Sequence, residues 1–410
     1  MKHRIKTIIA LTGVILCTLF IGNIDRIFPE KPAKAKYVFL FIGDGMGQSL
    51  VSLTESYMSY KAGKLGGEKL SFSNFPYTGF VSTYSANNQI TCSSAAGTAI
   101  ATGSKTNNEL LGKTVDGTDL RSFAYDLKED GYKIGIISNA PLNHATPASF
   151  YANPKNRNRY YDITSYIPKS GFEFFAGVGF KEFFSKDSSK PDSETLLRES
   201  GYEVYWGKEE YINRNTDANK IVYSQFENKG CDAKDYITGD VSKAGNVTLP
   251  EFLKAGLDFF GDEKPFFIMC EGGTIDWAAH MNNTMLTIQL IQEMDEAVKI
   301  AYEFYLEHPD ETLIIVTADH DTGGATLGYG SNWYDNYLKW GHIDSVWNAN
   351  GQTNLLSETE NRLLNEYTHI GWTTSHHTGV DVPVYAIGKG AERFCGKMDN
   401  TDFKSKILAE

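Results

Sequence analysis

Acidic and histidine side chains adjoin several of the short apolar segments of this sequence. Asp44 lies in the glycine-rich stretch GDGMG after one such segment, and Glu271 opens EGGTID after another. Asp319 and His320 stand side by side in TADHDTGG, and His377 lies in HHTG just before a further segment. Carboxylate and imidazole groups are common zinc ligands, whereas carboxylates with hydroxyls and water suit magnesium. These residue types therefore predict metal chemistry.

Asp276 and His280 have the spacing of a metal-binding pair. They are four positions apart, so on a helix they share one face and can bind the same ion. Taken alone, the pair is equally well explained as a surface feature of a helix, and an aspartate in a glycine-rich turn is often structural. Ligand-type residues beside four separate apolar segments are a stronger signal than any single pair.

Ser93 is the candidate nucleophile. It opens SSAAGTA, a run of small residues compatible with a helix, and the free N–H groups at a helix N-terminus favour anions. A tightly packed helix without any chemistry has the same composition. Taken alone, the composition of this stretch favours the explanation by packing.

These residues need a scaffold that brings them together. Short apolar segments separated by stretches of helix length are predicted as buried strands: Tyr37–Ile42, Tyr132–Ser138, Phe266–Cys270, Leu313–Thr317 and Val382–Ile387. Several are hydrophobic on both faces, which predicts a three-layer α/β/α sandwich with a largely parallel central sheet. Ligands of such sheets bind at the carboxyl ends of the strands, where most of these polar residues fall.

The chain is predicted to form a single catalytic domain over residues 36–410. A long helix is expected over Met285–Leu306, where Leu286, Leu290, Met294 and Val298 recur at fourfold spacing. Residues 180–243 and 328–368 are polar and weakly periodic, and we expect them to be loop-rich insertions over the sheet.

Residues 1–35 are predicted to direct export. Thr7–Ile24 carries no charge and follows Lys2, Arg4 and Lys6, which is the charge pattern of an export signal. The segment is also long enough to anchor the chain in a membrane. We therefore expect a periplasmic or extracellular protein; cleavage and retention of the segment as an anchor are both consistent with the sequence.

The overall charge restricts the partners. The 410 residues carry a formal net charge of −12, which argues against nucleic-acid binding because such proteins normally present a basic face. An anionic substrate needs a local reversal of this field by metal ions or arginine. Cys92, Cys231, Cys270 and Cys395 show no CxxC spacing, and their pairing cannot be deduced from the sequence.

The order of these motifs, with HATP between the serine stretch and EGGTID, resembles the alkaline phosphatase family over Tyr37–Ala391. The resemblance implies hydrolysis of small phosphate monoesters at alkaline pH through a phosphoserine at Ser93, with two zinc ions and one magnesium ion. It also implies a homodimer. The residues that it assigns to metals are Asp276, His280 and His377 for the first zinc, Asp44, Asp319 and His320 for the second zinc, and Asp44, Thr146 and Glu271 for magnesium.

The resemblance assigns the phosphate-binding arginine to Arg157, thirteen residues after His144, with Arg159 as the alternative. Two positions depart from the pattern. His144, near the third metal site, stands where many bacterial members have aspartate. Cys92 stands where the family usually has an aspartate that orients the arginine.

Three other functions fit the sequence less well. A sulfatase needs a Cys-x-Pro-x-Arg context, whereas Cys92 is followed by Ser-Ser-Ala-Ala. Related phosphodiesterases and other two-metal members of the superfamily lack the third-site pair that Thr146 and Glu271 supply here. A non-catalytic exported protein that binds metal or phosphate would be expected to have lost the serine or a metal ligand, and this sequence has lost neither.

Overall fold

A computed structural model describes residues 33–225, 247–329, 338–349 and 356–410. Most of the strands found there are short. They are β1 (Tyr37–Gly43), β2 (Tyr77–Ser82), β3 (Lys133–Ser138), β4 (Phe174–Gly177), β5 (Glu203–Trp206), β6 (Ile221–Ser224), β7 (Phe266–Gly272), β8 (Thr312–Ala318), β9 (Asp321–Thr322), β10 (Ala325–Leu327), β11 (Ile370–Trp372), β12 (His377–Thr378), β13 (Val382–Gly388) and β14 (Gly396–Asp399).

The helices of the described residues range from one turn to nearly seven turns. They are α1 (Gln48–Lys61), α2 (Ser93–Thr102), α3 (Phe123–Glu129), α4 (Ala145–Ala148), α5 (Tyr160–Thr164), α6 (Tyr166–Ser170), α7 (Ser193–Glu199), α8 (Gly207–Ile212), α9 (Leu249–Phe260), α10 (Thr274–His280), α11 (Thr284–Glu307), α12 (Trp340–Ala349), α13 (Glu358–Thr368) and α14 (Asp402–Leu408).

Ten strands form one sheet in the order β14-β2-β13-β8-β1-β7-β3-β4-β6-β5. The central strands β1, β7 and β8 are parallel and buried along their whole length, which is why their sequences are continuously apolar until the last residues. Gly43 of β1 is level with Gly272 of β7 and Ala318 of β8, and Ser138 of β3 is level with Glu271. The residues that follow these strands therefore emerge side by side.

Strand β13 runs antiparallel to both of its neighbours, β8 and β2. Its amino end therefore lies at the same edge as the carboxyl ends of the parallel strands. His377 precedes β13 in the chain, and the short strand β12 that contains it pairs with β9 just after β8. This reversal brings a histidine from the amino side of a strand to the edge that carries the other polar residues.

Helices cover the two faces of the sheet and complete the predicted three-layer α/β/α sandwich. Helices α9, α11 and α1 pack together on one face, and α2, α3 and α14 form a second group. The strands contribute large side chains to both layers of the core, among them Tyr37, Phe39 and Phe175. The single-domain prediction remains consistent with this architecture.

The two predicted insertions contain more regular structure than expected. Part of residues 180–243 forms β5 and β6, which extend the central sheet at one end. The described part of residues 328–368 consists mainly of α12 and α13. Strand β14, which the sequence patterns do not predict, follows Val382–Gly388 and forms the other edge of the sheet.

The predicted export segment Thr7–Ile24 and Cys231 lie outside the described residues. Within the described ranges, the helices are all too short or too polar to span a bilayer. Cys92, Cys270 and Cys395 are free thiols.

Candidate active site

The first group of ligand-type residues, Asp44, Asp319 and His320, is completely buried at the ends of β1 and β8. His320 Nε2 lies 3.3 Å from Asp44 Oδ1 and 3.4 Å from Asp319 Oδ2. The backbone N–H groups of Gly45 and His320 donate to Asp319 Oδ1. Both Asp44 oxygens and Asp319 Oδ2 have no hydrogen-bond partner among the described residues. Buried anionic oxygens without partners are costly, so this group fits a bound cation.

Burial controls the charge of this group. It raises the pKa of Asp319 to about 7, and it raises the pKa of Asp44 as well, with a further contribution from the charges of Asp319 and Asp276. Burial also lowers the pKa of His320, with help from the charge of His377. Without a cation the site thus favours protonated carboxyls and a neutral imidazole, and a metal ion would reverse the preference of the carboxyls.

Ser93 is the first residue of α2 and faces this group. Its Oγ lies 3.3 Å from His320 Nε2, and the residue is 3% exposed. Gly97, one turn along the helix, allows α2 to pack closely on α4, because a Cβ there would lie 2.7 Å from Ser149 Oγ and 3.5 Å from the Thr146 Cα. The small residues of α2 therefore allow close packing between the two helices, and this packing also positions Ser93.

The second group, Asp276, His280 and His377, lies nearer the surface. The distance from His280 Nε2 is 3.2 Å to Asp276 Oδ2 and 3.2 Å to His377 Nε2, and His377 Nε2 lies 3.6 Å from Asp276 Oδ1. Nδ1 of His280 donates to the Ser375 carbonyl at 2.7 Å, and Nδ1 of His377 donates to the Thr91 carbonyl at 2.8 Å. Because a carbonyl only accepts, both Nε2 atoms are left as acceptors that point at the site.

The electrostatics of the second group are dominated by the Asp276–His280 pair. Burial alone would raise the pKa of Asp276 and lower that of His280, but their mutual hydrogen bond and charges lower the first and raise the second. The two groups also overlap. The rings of His320 and His377 stack at 3.6 Å, and a ring nitrogen of His320 lies within 4.8 Å of possible ligand atoms of both Asp276 and His377. Two cations bound here would be close neighbours.

The third predicted set contains buried polar atoms that lack hydrogen-bond partners among the described residues. It consists of Asp44, Thr146 and Glu271, with His144 nearby. Thr146 Oγ1, Glu271 Oε1 and His144 Nδ1 have no hydrogen-bond partner among the described residues. Burial raises the pKa of Glu271 to about 8 and lowers that of His144 to about 3, the latter with help from the charges of Arg157 and Lys181. Hydroxyl and carboxylate oxygens of this kind match the oxygen preference of magnesium.

The two candidate arginines differ in their surroundings. Arg159 is exposed and its Nε pairs with Asp162 at the start of α5. Arg157 is half-buried and makes no hydrogen bond or ion pair within the described ranges. Its positive charge acts on Asp44, His144, His320 and His377, whose pKa values it lowers as a smaller cause beside burial. The geometry therefore favours Arg157 as the free cation beside the site.

Two residues of the site were not singled out in the sequence. Ser138, the last residue of β3, donates its hydroxyl to Glu271 Oε2. Thr322 Oγ1 donates to Asp276 Oδ1 at 2.6 Å and lies 3.3 Å from His320 Nδ1. Gly45, with φ of +69°, lets Thr322 approach, since a Cβ there would be 2.7 Å from its Oγ1. The position of Thr322 within TADHDTGG could have identified it as a site residue. For Ser138, the only indication in the sequence was its position at the end of a predicted strand.

Cys92 precedes Ser93 and caps α2 without a side-chain hydrogen bond to the helix. Its Sγ lies 3.2 Å from Ser94 Oγ and accepts from the Glu109 N–H at 3.3 Å. These contacts involve neighbouring residues and not Arg157, so the Cys92 thiol does not orient the arginine.

Comparisons with known proteins agree with the predicted resemblance. The profile of the family described as alkaline phosphatase matches residues 35–409. Alkaline phosphatase 4 of Bacillus subtilis is 28% identical, with 98% of this chain and 95% of that protein covered. The structure of a cold-active alkaline phosphatase from a psychrophilic Shewanella species has a TM-score of 0.77 at 26% identity and covers 91% and 99% of the two chains. The alkaline phosphatase of the Antarctic bacterium TAB5 has a TM-score of 0.73 at 28% identity and covers 92% and 98%; a mutant of it with a histidine replaced by aspartate has Mg bound.

Proposed function

This chain belongs to the alkaline phosphatase family, whose members are metal-dependent phosphoric monoester hydrolases, and we propose that Ser93 is its nucleophile and forms a phosphoserine intermediate. The observation that carries this proposal is the position of Ser93 Oγ, 3.3 Å from His320 Nε2 and beside buried carboxylate oxygens without partners. A hydroxyl in such a place is suited to covalent catalysis and has no evident structural role.

The donor atoms fit the metals that the family uses. Asp276, His280 and His377, whose side chains approach one another, would hold one zinc ion. Asp44, Asp319 and His320 would hold a second. Asp44, Thr146 and Glu271 would hold magnesium, with His144 beside them as a neutral imidazole. When bound, these ions supply positive charge that lowers the pKa of the serine hydroxyl and stabilises negative charge on the reacting oxygens.

The residues of the chain then have distinct roles. Ser93 Oγ gives up its proton and forms the new bond to phosphorus while the bond from phosphorus to the ester oxygen breaks. That oxygen takes up a proton and leaves as the alcohol. Water then attacks the phosphorus of the phosphoserine, and the bond from phosphorus to Ser93 Oγ breaks. This step releases phosphate and regenerates the Ser93 hydroxyl. Because Ser93 is the first residue of α2, the free N–H groups at the start of this helix would favour the negative charge of a phosphoryl group bound there.

Arg157 would bind two non-bridging oxygens of the phosphoryl group through its planar guanidinium. Its lack of a partner among the described residues leaves all its N–H donors for this purpose. It also supplies, together with the metals, the local reversal of field that a chain of net charge −12 requires for an anionic substrate.

The proposal is tested by Ser93→Ala, with Ser94→Ala as the matched control. Ser93→Ala should lose several orders of magnitude in turnover of p-nitrophenyl phosphate and all labelling by a phosphoryl donor, yet still bind zinc. Ser94→Ala should retain labelling. Phosphoserine at position 94, or ordinary turnover by Ser93→Ala, would refute the assignment. Faster cleavage of bis-p-nitrophenyl phosphate than of the monoester by the wild type would instead indicate a phosphodiesterase.

The remaining proposals concern location and assembly. We retain export through residues 1–35 and a homodimer as proposals; they rest on the charge pattern of the N-terminus and on family membership. Mass measurement of the mature protein from exporting cells would reveal whether the leader is cleaved, and light scattering would give the number of chains.

A further inference from the structure

Helix α13 packs against the rest of the catalytic domain through polar side chains. Its fully buried residues are Asn361, Asn365 and Thr368, while Leu363 and Tyr367 are more than half exposed. Spacings of four and three residues place the buried three on one face of the helix. A helix normally buries an apolar face, and buried amides are costly unless they are hydrogen-bonded, so this face must have specific partners.

Both asparagines donate hydrogen bonds to backbone carbonyls in the turn that follows His280. Asn361 also donates to the Leu356 carbonyl at 3.2 Å. Asn361 Nδ2 donates to the Met281 carbonyl at 3.3 Å, and Asn365 Nδ2 donates to the Asn282 carbonyl at 2.8 Å. Carbonyls at the end of a helix have no partner within the helix. Asn282 also has a φ of +50°, a conformation that non-glycine residues seldom adopt. The asparagines thus stabilise a tight turn directly behind a predicted metal ligand.

The same network reaches His280 from its other side. Thr284 Oγ1 donates to Asn365 Oδ1 at 2.7 Å and accepts from Trp372 Nε1 at 3.2 Å. Three residues after Trp372, the Ser375 carbonyl accepts the proton of His280 Nδ1 at 2.7 Å. Trp372 is itself held against Gly323 of TADHDTGG, where a Cβ would lie 2.5 Å from its ring.

We propose that Asn361 and Asn365 are positioning residues for His280, which rests on the proposed zinc site at Asp276, His280 and His377. They fix the turn behind the imidazole and, through Thr284 and Trp372, the segment whose carbonyl orients its Nδ1. Within the part of the chain that the structure describes, Asp44, Asp319 and His320 of the other proposed zinc group make no hydrogen bond to Asn361, Asn365, Thr284 or Trp372. The network should therefore affect the zinc affinity of the outer group far more than that of the inner group.

Zinc titration of the chelated protein against a chromophoric competitor tests this directly. Asn365→Ala and the double variant with Asn361→Ala should weaken one zinc class by about tenfold or more and leave the other within about twofold. Leu363→Ala, on the exposed side of the same helix, should change neither class. Equal weakening of both classes, or unchanged zinc affinities, would overturn the proposal.

A double-mutant cycle shows whether the asparagines act through His280. In a His280→Ala background, Asn365→Ala should have no further effect on zinc affinity, because the group that it positions is gone. Additive losses would mean that Asn365 acts on the fold alone and would overturn the proposal. Wild-type protein without a His280-dependent zinc class would also overturn it, whereas failure of Ser93 labelling would count only against the proposed chemistry.

Discussion

The buried carboxyls make the stability of the chelated protein depend on pH in an unusual direction. Burial raises the pKa of Glu271 from 4.5 to about 8. The folded state therefore binds a proton that the unfolded state releases between these values. The contribution of Glu271 to stability is fully present below pH 4.5 and is lost as pH rises through about 8, so stability should fall over this range.

The magnitude follows from the two pKa values. One pKa unit corresponds to about 1.4 kcal/mol, so Glu271 alone would remove roughly 3–4 kcal/mol between pH 5 and pH 8. Asp319, whose burial raises its pKa to about 7, acts in the same direction. Such a loss is a large fraction of the stability of an ordinary domain. Bound metal should oppose it, because metal replaces the proton and favours the ionised carboxylate.

Urea unfolding of the chelated protein at pH 5 to 8 measures this effect, and Glu271→Gln isolates it. The glutamine can still accept from the Ser138 hydroxyl but does not titrate. Its stability relative to wild type should rise by roughly 3–4 kcal/mol from pH 5 to pH 8. Glu303→Gln, on the exposed surface of α11, should show no such trend. A stability difference between Glu271→Gln and wild type that stays flat or falls with pH would refute the reasoning.

Two further predictions concern the metals and Cys92. Exhaustive chelation should abolish activity, and zinc with magnesium should restore it with three ions per chain; activity in protein free of metal would rule this out. Cys92→Asp should lower the inhibition constant of inorganic phosphate by about tenfold, because a carboxylate can orient the otherwise unpartnered Arg157 where the thiol does not. The position also caps α2, where aspartate is favourable, so a more stable variant with unchanged phosphate inhibition would show that the new carboxylate binds the helix instead.

The sequence predicted the centre of the sheet and singled out acidic and histidine residues that the structure brings to one edge, because both leave strong local patterns. Tyr37–Gly43 and Thr312–Ala318 are apolar on both faces, and the residues after them adjoin glycines that the turns require. The long helix at Thr284–Glu307 differs from its prediction by one residue at each end. These segments are determined by their own composition, so local reasoning suffices.

What could not be predicted depends on contacts between distant residues. Nothing in Val382–Gly388 indicates that it runs antiparallel to its neighbours, which is what brings His377 to the site. Strands β5 and β6 are only four residues long, and the stretches of sequence on either side of them are polar. Helix α13 buries asparagine and threonine, so a search for apolar periodicity passes over it, and its function is visible only when the carbonyls behind His280 are known.

The difference in burial between the two zinc groups has a consequence for the kinetics of metal exchange. The side chains of Asp44, Asp319 and His320 are fully enclosed, whereas those of His280 and His377 are 34% and 17% exposed. If both proposed ions bind, one at the outer position would leave to solvent directly, whereas one at the inner position would leave only after the outer histidines move aside. Loading would then be sequential, inner ion first. In a solution of several metals, the outer position would exchange its ion with those in solution. The inner position would keep the ion that it bound first.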